Sequence, residues 1–327
     1  MKAAPNNLIV TLADKNFINK AKQLFSSIYH NSGWLGDYLL LAYEIPDEDL
    51  AWFKSKGILI YKCQPLTTGK IGLHAHPAVV LAKFYLLKDY FRQWEKVIFL
   101  DADIIVKTSL DYLTQFEEFS APNATSLNLK KEFINDGHLF PLLKKRFPLK
   151  GRAFNSGVMV FNYKNIAPGA FDKIISLYQE FGAINAYGEE ATFNLFFYKN
   201  WRLLPIVFNA YPPYFKHLLG LDTNKFKASI IHFVSPVKPW NPISPYFCEW
   251  QENLKKADLI DLTKRPTAKE TWTDRELSRY LKYILFKKTI RAIPMAINHQ
   301  IGRLGLLIKR FSPRLYEKIK IKKNTTI

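Results

Sequence analysis

Between residue 8 and about residue 100, short runs rich in β-branched residues alternate with longer stretches of helical periodicity. That alternation commits the chain to an α/β fold, a mainly parallel sheet flanked by helices. Strands are expected at Leu8–Leu12, Tyr38–Ala42, Ile58–Tyr61 and Val97–Leu100. Helices are expected over Lys15–Tyr29 and over Ala78–Tyr90, the second opening after Pro77. Later in the chain, strands are expected at Val158–Phe161 and Ile230–Phe233, and helices at Gly169–Phe181 and Glu190–Phe197. A length of 327 residues suits one large α/β domain with an appendage, and 48% hydrophobic content excludes disorder. The segment 123–152 is basic in its second half and broken by Pro141 and Pro148, as expected of an insertion over one face of the sheet.

The charge is lopsided. Lys and Arg number 47 against 28 acids, a formal net charge of +19, which calls for an anionic partner such as nucleic acid, an anionic membrane face or a phosphorylated substrate. From Arg279 onward there are 13 basic residues and one acid, Glu317, so the excess sits mostly in the tail. There Ile297, Ile301, Leu304, Ile308, Phe311 and Leu315 recur every three or four residues, flanked by Arg303, Lys309, Arg310 and Arg314. This pattern is expected of a basic amphipathic helix lying on an anionic membrane surface, the alternative being a tail helix packed on the domain. Aromatic residues are too sparse in the tail for a nucleic-acid arm. Two cysteines without a CxxC pairing, no leader-like start and no apolar run of bilayer length together give the expectation of a cytoplasmic protein, peripheral at the inner membrane face. The domain expected from this reading covers residues 1–257, with 123–152 as an acceptor-side insertion and 258–327 as the tail.

Neither GxGxxG nor GxxxxGK[ST] occurs, so the usual backbone cradles for phosphate are missing, and bound phosphates would need a metal and lysines. Asp101-Ala102-Asp103 follows the strand Lys96-Val97-Ile98-Phe99-Leu100. The carboxyl end of a strand is where an open α/β sheet binds ligands, and alternation sends both carboxylates to one side. Two hard oxygens so placed suit Mn²⁺ or Mg²⁺ on a diphosphate, although a solvated turn has the same sequence. A second strand end carries His232-Phe233-Val234-Ser235-Pro236-Val237-Lys238-Pro239-Trp240, where a histidine can complete an oxygen and nitrogen shell and a lysine can meet a phosphate.

Asp101-Ala102-Asp103, Phe154-Asn155-Ser156-Gly157-Val158, Gly188-Glu189-Glu190 and His232 to Trp240, in this order and at these separations, resemble glycosyltransferase family 8. That is the family of glycogenin and of the retaining galactosyltransferases of bacterial lipooligosaccharide synthesis. The resemblance covers roughly residues 7 to 250. It implies a GT-A fold with a single Rossmann-like sheet, a UDP-sugar donor, Mn²⁺ (or Mg²⁺), and transfer with retention. It makes Asp101, Asp103 and His232 the metal ligands and Lys238 the diphosphate contact. Leu12, Ala13, Asp14 and Phe17 match the uridine pocket, with Ala102 and Ser235 also on the nucleotide side, and Lys83 matches a basic residue that contacts donor phosphate or sugar. Asn155 and Ser156 match residues near the donor sugar hydroxyls, with Gly157 allowing close backbone approach.

Two positions depart from the family pattern. Glu189 stands where an Asp usually holds the sugar, and Glu190 where a Gln usually lies opposite the leaving group. A carboxylate there could be a nucleophile, as an amide scarcely can, or simply a glutamate favoured at a helix start. Ser235 replaces a usual Gly beside the phosphates. The expected activity is therefore metal-dependent hexosyl transfer (glucose or galactose) from a UDP-sugar to a glycan or glycolipid, with Asn155, Glu189 and Glu190 as catalytic candidates and a front-face route preferred over an adduct on Glu190. The rivals are tyrosine self-glucosylation, for which Tyr211 and Tyr214 lie in the right part of the chain, and basic nucleic-acid binding without turnover.

Overall fold

The computed structural model describes residues 6–290 apart from 68, 73, 125–127, 136, 214, 215, 217–219, 221–225, 265 and 266. Its most apolar strands lie innermost, because a parallel strand covered on both faces needs hydrophobic side chains on both. β1 (Asn7–Ala13) pairs in parallel with β2 (Asp37–Tyr43) on one side and with β6 (Lys96–Leu100) on the other. β3 (Leu59–Cys63) extends the parallel half beyond β2. On the far side β9 (Val158–Asn162) runs antiparallel to β6, followed by β8 (Ser120–Ala121) and β10 (Arg202–Leu203). The order is thus β10-β8-β9-β6-β1-β2-β3. A short hairpin of β4 (Lys70–Ile71) and β5 (His76–Pro77) lies outside this sheet.

From β1 the chain passes through α1 (Ile18–Ser32) to β2, and through α2 (Asp47–Ser55) to β3, before returning across β1 to β6. Strand order therefore reverses between β1 and β6, and the crevice at their carboxyl ends is the expected ligand position. Asp14 follows β1 there, and Asp101 follows β6.

Several expected elements take a different local form. Lys15–Tyr29 divides into a 3₁₀ turn, Lys15–Phe17, and α1, because Asp14 accepts hydrogen bonds from the backbone N–H groups of Asn16 and Phe17 and ends the extended stretch abruptly. Ala78–Tyr90 forms two 3₁₀ segments, Ala78–Leu87 and Asp89–Gln93, separated by an extended Lys88. Leu81 to Leu87 are all buried, so the segment carries no polar face from which periodicity could tell one helix type from another. β11 (Ile230–His232) lies outside the central sheet and pairs antiparallel with β7 (Ile104–Val106).

The 123–152 segment holds a 3₁₀ turn, Leu129–Glu132, and α3 (Leu139–Arg146). Its Leu129, Phe133, Phe140, Leu143 and Leu149 join Phe181, Ile184, Ala191 and Leu195 in a second core against α4 (Ala170–Phe181) and α5 (Gly188–Phe196). Lys144, Lys145, Arg146, Lys150 and Arg152 remain on its surface.

Contacts divide the chain into one unit of residues 1–212 with 227–272 and another of 213–226 with residues from 273 onward. Residues 256–264, assigned in part to the tail from sequence, belong to the first unit. Trp52 Nε1 donates to Asp258 Oδ1 at 2.6 Å, and the Tyr29 hydroxyl donates to the Asp261 carbonyl at 2.9 Å. They follow α6 (Phe247–Lys255), which packs on α1. In the second unit residues 274–290 are helical. The stripe from Ile297 to Leu315 lies outside the described residues, as does Tyr214. Among the described residues no helix is long and apolar enough to cross a membrane.

Candidate active site

β6 ends at Leu100, and the chain turns through Asp101-Ala102-Asp103 into β7. The β7–β11 pairing sets His232 opposite Ile104, and the Phe233 N–H donates to the Asp103 carbonyl at 3.2 Å. His232 Nε2 thus lies 3.2 Å from Asp103 Oδ1 and 3.8 Å from Asp101 Oδ2. One atom from each of the three residues lies within 4.8 Å of the others. The other imidazole nitrogen, Nδ1, is 2.8 Å from Asn209 Oδ1, an outer contact that makes it the protonated nitrogen and leaves Nε2 a lone pair for a ligand. Space for that ligand depends on Gly157. A Cβ there would sit 2.2 Å from His232 Cε1 and 2.8 Å from Asp101 Oδ2.

Two lysines balance these carboxylates. Lys83, 4% exposed, reaches from the segment Ala78–Leu87 to Asp101 at 2.8 Å and to Glu189 at 2.7 Å. Burial opposes its charge, but the two acids outweigh burial and raise its pKa. Lys238 lies 2.6 Å from Asp103 Oδ2 and donates to the Phe233 carbonyl at 2.6 Å. Burial likewise opposes ionisation of Asp103, yet His232 and Lys238 hold its carboxyl well below the usual carboxylate range. Asp101 moves the other way, pushed up by burial and by the nearby Asp103 and Glu189 against the pull of Lys83 and His232.

The sugar-side candidates meet in the same place. Gly188, at φ +52°, starts α5 and puts Glu189 and Glu190 in its first turn. The Ser156 hydroxyl donates to Glu189 Oε1 at 2.9 Å. Asn155 Nδ2 and the Ser156 N–H donate to Glu190 Oε2 at 2.8 and 2.9 Å. Asn194 secures this junction: its Oδ1 accepts from the Phe154 N–H, and its Nδ2 donates to the Phe154 and Glu190 carbonyls, each at 2.9 Å.

Nine sequence-selected residues therefore share one linked network: Asp101, Asp103, His232, Lys238, Lys83, Asn155, Ser156, Glu189 and Glu190. The uridine-side set is not drawn into it. Leu12 and Ala13 belong to β1, Ala102 is buried in the Asp101–Asp103 turn, and Asp14 is occupied as a cap. The Phe17 ring, 37% exposed, meets Trp240 edge-on at 5.9 Å, with the Lys20 amine 5.0 Å from its centroid. Ser235 turns back to donate to the Val237 carbonyl at 3.1 Å. Asn209 and Glu132 escaped the sequence reading, because no local motif surrounds them and only the fold brings them to His232 and α5.

Residues 8–244 match the family described as glycosyl transferase family 8. The chain is 25% identical over 299 residues to the glycosyltransferase GlyB of Streptococcus pneumoniae serotype 4, covering 77% of this chain and 64% of GlyB. It is 27% identical over 162 residues to human glycogenin-1, covering 46% of this chain and 37% of that protein. The chain thus spans less than two thirds of the length of either relative. Among solved structures, the galactosyltransferase LgtC in complex with donor and acceptor sugar analogues superposes with a TM-score of 0.61 at 18% identity, over 76% of this chain and 95% of LgtC. An LgtC active-site mutant with Glu in place of a Gln superposes equally well, at 17% identity over the same shares. The glycosyltransferase GlyE of S. pneumoniae TIGR4 gives 0.57 at 21% identity, over 82% of this chain and 66% of GlyE. With its GT-A sheet and a family match over most of its length, this chain belongs to glycosyl transferase family 8.

Proposed function

We propose that this chain transfers a hexose from a UDP-sugar to a glycan or glycolipid acceptor, with retention at the anomeric carbon and dependence on Mn²⁺ or Mg²⁺. The convergence of Asp101, Asp103 and His232 at the end of β6, with Lys238 beside them, carries this reading. Two carboxylates and an imidazole suit these cations, Gly157 leaves the room, and Asn209 directs the Nε2 lone pair inward. When bound, such a cation neutralises charge on the departing diphosphate as a Lewis acid. Lys238 adds a point charge for phosphate, and Lys83 ties Asp101 to Glu189, keeping the phosphate side and the sugar side at fixed spacing. Asn155, Ser156 and Glu189 offer both donors and acceptors to sugar hydroxyls. In this reading the departing phosphate oxygen takes the acceptor's proton on the face where the acceptor enters.

A panel of UDP-sugars incubated with Mn²⁺ and scored for UDP release tests the proposal without knowledge of the acceptor. Release from one donor, abolished by chelation, is the expected result. No release from any donor, together with no calorimetric binding of UDP, overturns it.

We place the acceptor at an anionic membrane surface, a reading supported by the second unit. Its helical residues 274–290 expose Tyr283, Leu285, Phe286 and Ile290 beside Arg279, Lys282 and Lys288. Each basic residue near such a surface contributes about 1 kcal/mol, so removing everything after Arg279 should lower partitioning onto phosphatidylserine vesicles more than ~10-fold. UDP-sugar hydrolysis should stay within about twofold of the full chain on this reading, since none of the site residues lies in that segment. Lost hydrolysis with unchanged vesicle binding would make the tail a packed part of the enzyme.

A further inference from the structure

Apart from the tail, the positive charge of this chain is concentrated in one place. Residues 123–152 hold 7 basic residues and 2 acids, a net +5 of the +7 that precedes Arg279. Backbone hydrogen bonds bring the two halves of this segment together: the Leu129 N–H donates to the Gly151 carbonyl at 2.9 Å and the Lys130 N–H to the Leu149 carbonyl at 3.2 Å. Lys130, Lys131, Lys150 and Arg152 therefore all lie within two residues of one backbone junction, and all four are exposed. Among the described residues none of the four has an ion-pair partner, whereas Lys54, Lys62, Arg92, Lys164 and Arg202 of the same unit each meet an acid. Glu132, the one acid among the segment's described residues, has no exposed surface.

Two short stretches of chain lead from this junction into the sugar-side network. On one, Arg152 is followed by Ala153, whose carbonyl accepts from the Ala124 N–H at 2.9 Å, and by Phe154, which bridges Asn123. Next come Asn155 and Ser156, which donate to Glu190. At no more than about 3.6 Å per residue, Arg152 stands at most about 11 Å from Asn155. On the other stretch, the Glu132 carbonyl, next to Lys131, accepts from the Ala186 N–H at 2.8 Å, three residues before Glu189. Leu129 and Leu149, which flank the junction, are buried with Ala191 and Leu195 of α5 in the second core, so this spacing is held.

We propose that this junction binds an anionic substituent, phosphate or carboxylate, of the acceptor glycan, which makes the acceptor an acidic oligosaccharide. That the oligosaccharide is the acceptor rests on the proposed function; that an acidic oligosaccharide binds here does not. Four like charges around one junction repel one another and weaken the compact state, and an anion among them removes that cost. The Arg152 guanidinium suits a carboxylate or phosphate in bidentate fashion, and the three lysines add point charges. The donor's diphosphate has a lysine of its own, Lys238 beside Asp103. Position favours a glycan over a membrane, because both stretches run from the junction to the sugar-side donors. A membrane-seated surface also needs apolar side chains among its charges, and Leu142, the one large apolar residue exposed in this segment among the described residues, belongs to α3. Single-stranded nucleic acid calls for exposed aromatic faces, and Phe133 and Phe140 are buried.

Calorimetric titration of the full chain, without donor or metal, tests this with three oligosaccharides of equal length: a phosphorylated mannooligosaccharide, an oligogalacturonate and a neutral maltooligosaccharide. At least one acidic oligosaccharide should bind ~10-fold or more tightly than the neutral one, and the tighter of the two acidic ones names the anion. Lys130→Ser, Lys131→Ser, Lys150→Ser and Arg152→Ser together should remove that preference. Lys54→Ser, Lys62→Ser, Lys164→Ser and Arg202→Ser together make the same change in net charge and should leave it. The melting temperature of the junction variant should be no lower than that of wild type, since like charges are removed. Should it fall, Lys150→Ser with Arg152→Ser replaces it in the same titrations, with binding expected to weaken ~3-fold or more. No preference for an acidic oligosaccharide, equal loss in both fourfold variants, or a loss confined to phosphatidylserine vesicles or a single-stranded oligonucleotide overturns the proposal even if UDP-sugar hydrolysis is robust. A preference lost only in the junction variant sustains the acidic-oligosaccharide site even if no UDP-sugar is turned over.

Discussion

Gly157→Ala should abolish productive metal binding although it adds only one methyl group. The new Cβ would lie 2.2 Å from His232 Cε1 and 2.8 Å from Asp101 Oδ2, far inside contact distance. Neither neighbour can easily yield. His232 is 2% exposed and held through Nδ1 by Asn209, and the Gly157 backbone is pinned by its carbonyl, which accepts from the Asp101 N–H at 2.8 Å. Overpacking of this kind costs roughly 1–3 kcal/mol of stability, and displacing an outer support of a metal ligand alone costs roughly 10- to 100-fold in affinity. The expected outcome is a folded protein with at least ~100-fold weaker Mn²⁺ binding by calorimetry and correspondingly lost UDP-sugar hydrolysis. Wild-type Mn²⁺ affinity in a well-folded Gly157→Ala protein would remove the metal from this pocket.

Asp103→Asn attacks the same pocket through charge. Asp103 is central to it, with one carboxylate oxygen 3.2 Å from His232 and the other 2.6 Å from Lys238. The amide keeps the shape but removes the anionic charge that Asp103 brings to the proposed metal shell, and it leaves Lys238 without its carboxylate partner. Loss of one preorganised electrostatic contact to a developing charge typically costs 10²- to 10³-fold in rate, and here the cation's grip weakens as well. A decrease of about a thousandfold or more in UDP release, with a melting temperature within a few degrees of wild type, is expected. Near-normal release in saturating Mn²⁺ would show that Asp103 is not a ligand.

The parallel half of the sheet could be read from the sequence because a strand buried on both faces has a continuous apolar run, and every expected strand from β1 to β6 lies within a residue or two of its observed bounds. The segment after Pro77 could not be read in this way. Apart from the buried Lys83, Ala78 to Leu87 are apolar or aromatic, with no polar face to set a period, so nothing distinguished one α-helix from two 3₁₀ turns split at Lys88. Of the site, the motif residues Asp101 and Asp103 were visible because they follow an apolar strand, and His232 because it ends one. Glu132 and Asn209 were not, since each has a local sequence typical of a loop and gains its place only through long-range contacts. The aromatic at Phe17 was visible, but its pairing with Trp240, more than two hundred residues away in the chain, was not.

The antiparallel pairing of β11 with β7 also orders events in time. Asp101 and Asp103 take their places once β6 has paired with β1 and β9. His232 arrives only after Asn209 and β11 have been synthesised and have docked against Ile104–Val106, closing a loop of over a hundred residues. A chain still on the ribosome before that point has two aspartates and Lys83 but no imidazole, and so at most a weak hold on a divalent cation. On the proposed reading of this site, cation affinity would be complete only after the β11 strand has docked, and in a nascent or partly unfolded chain it would report that docking.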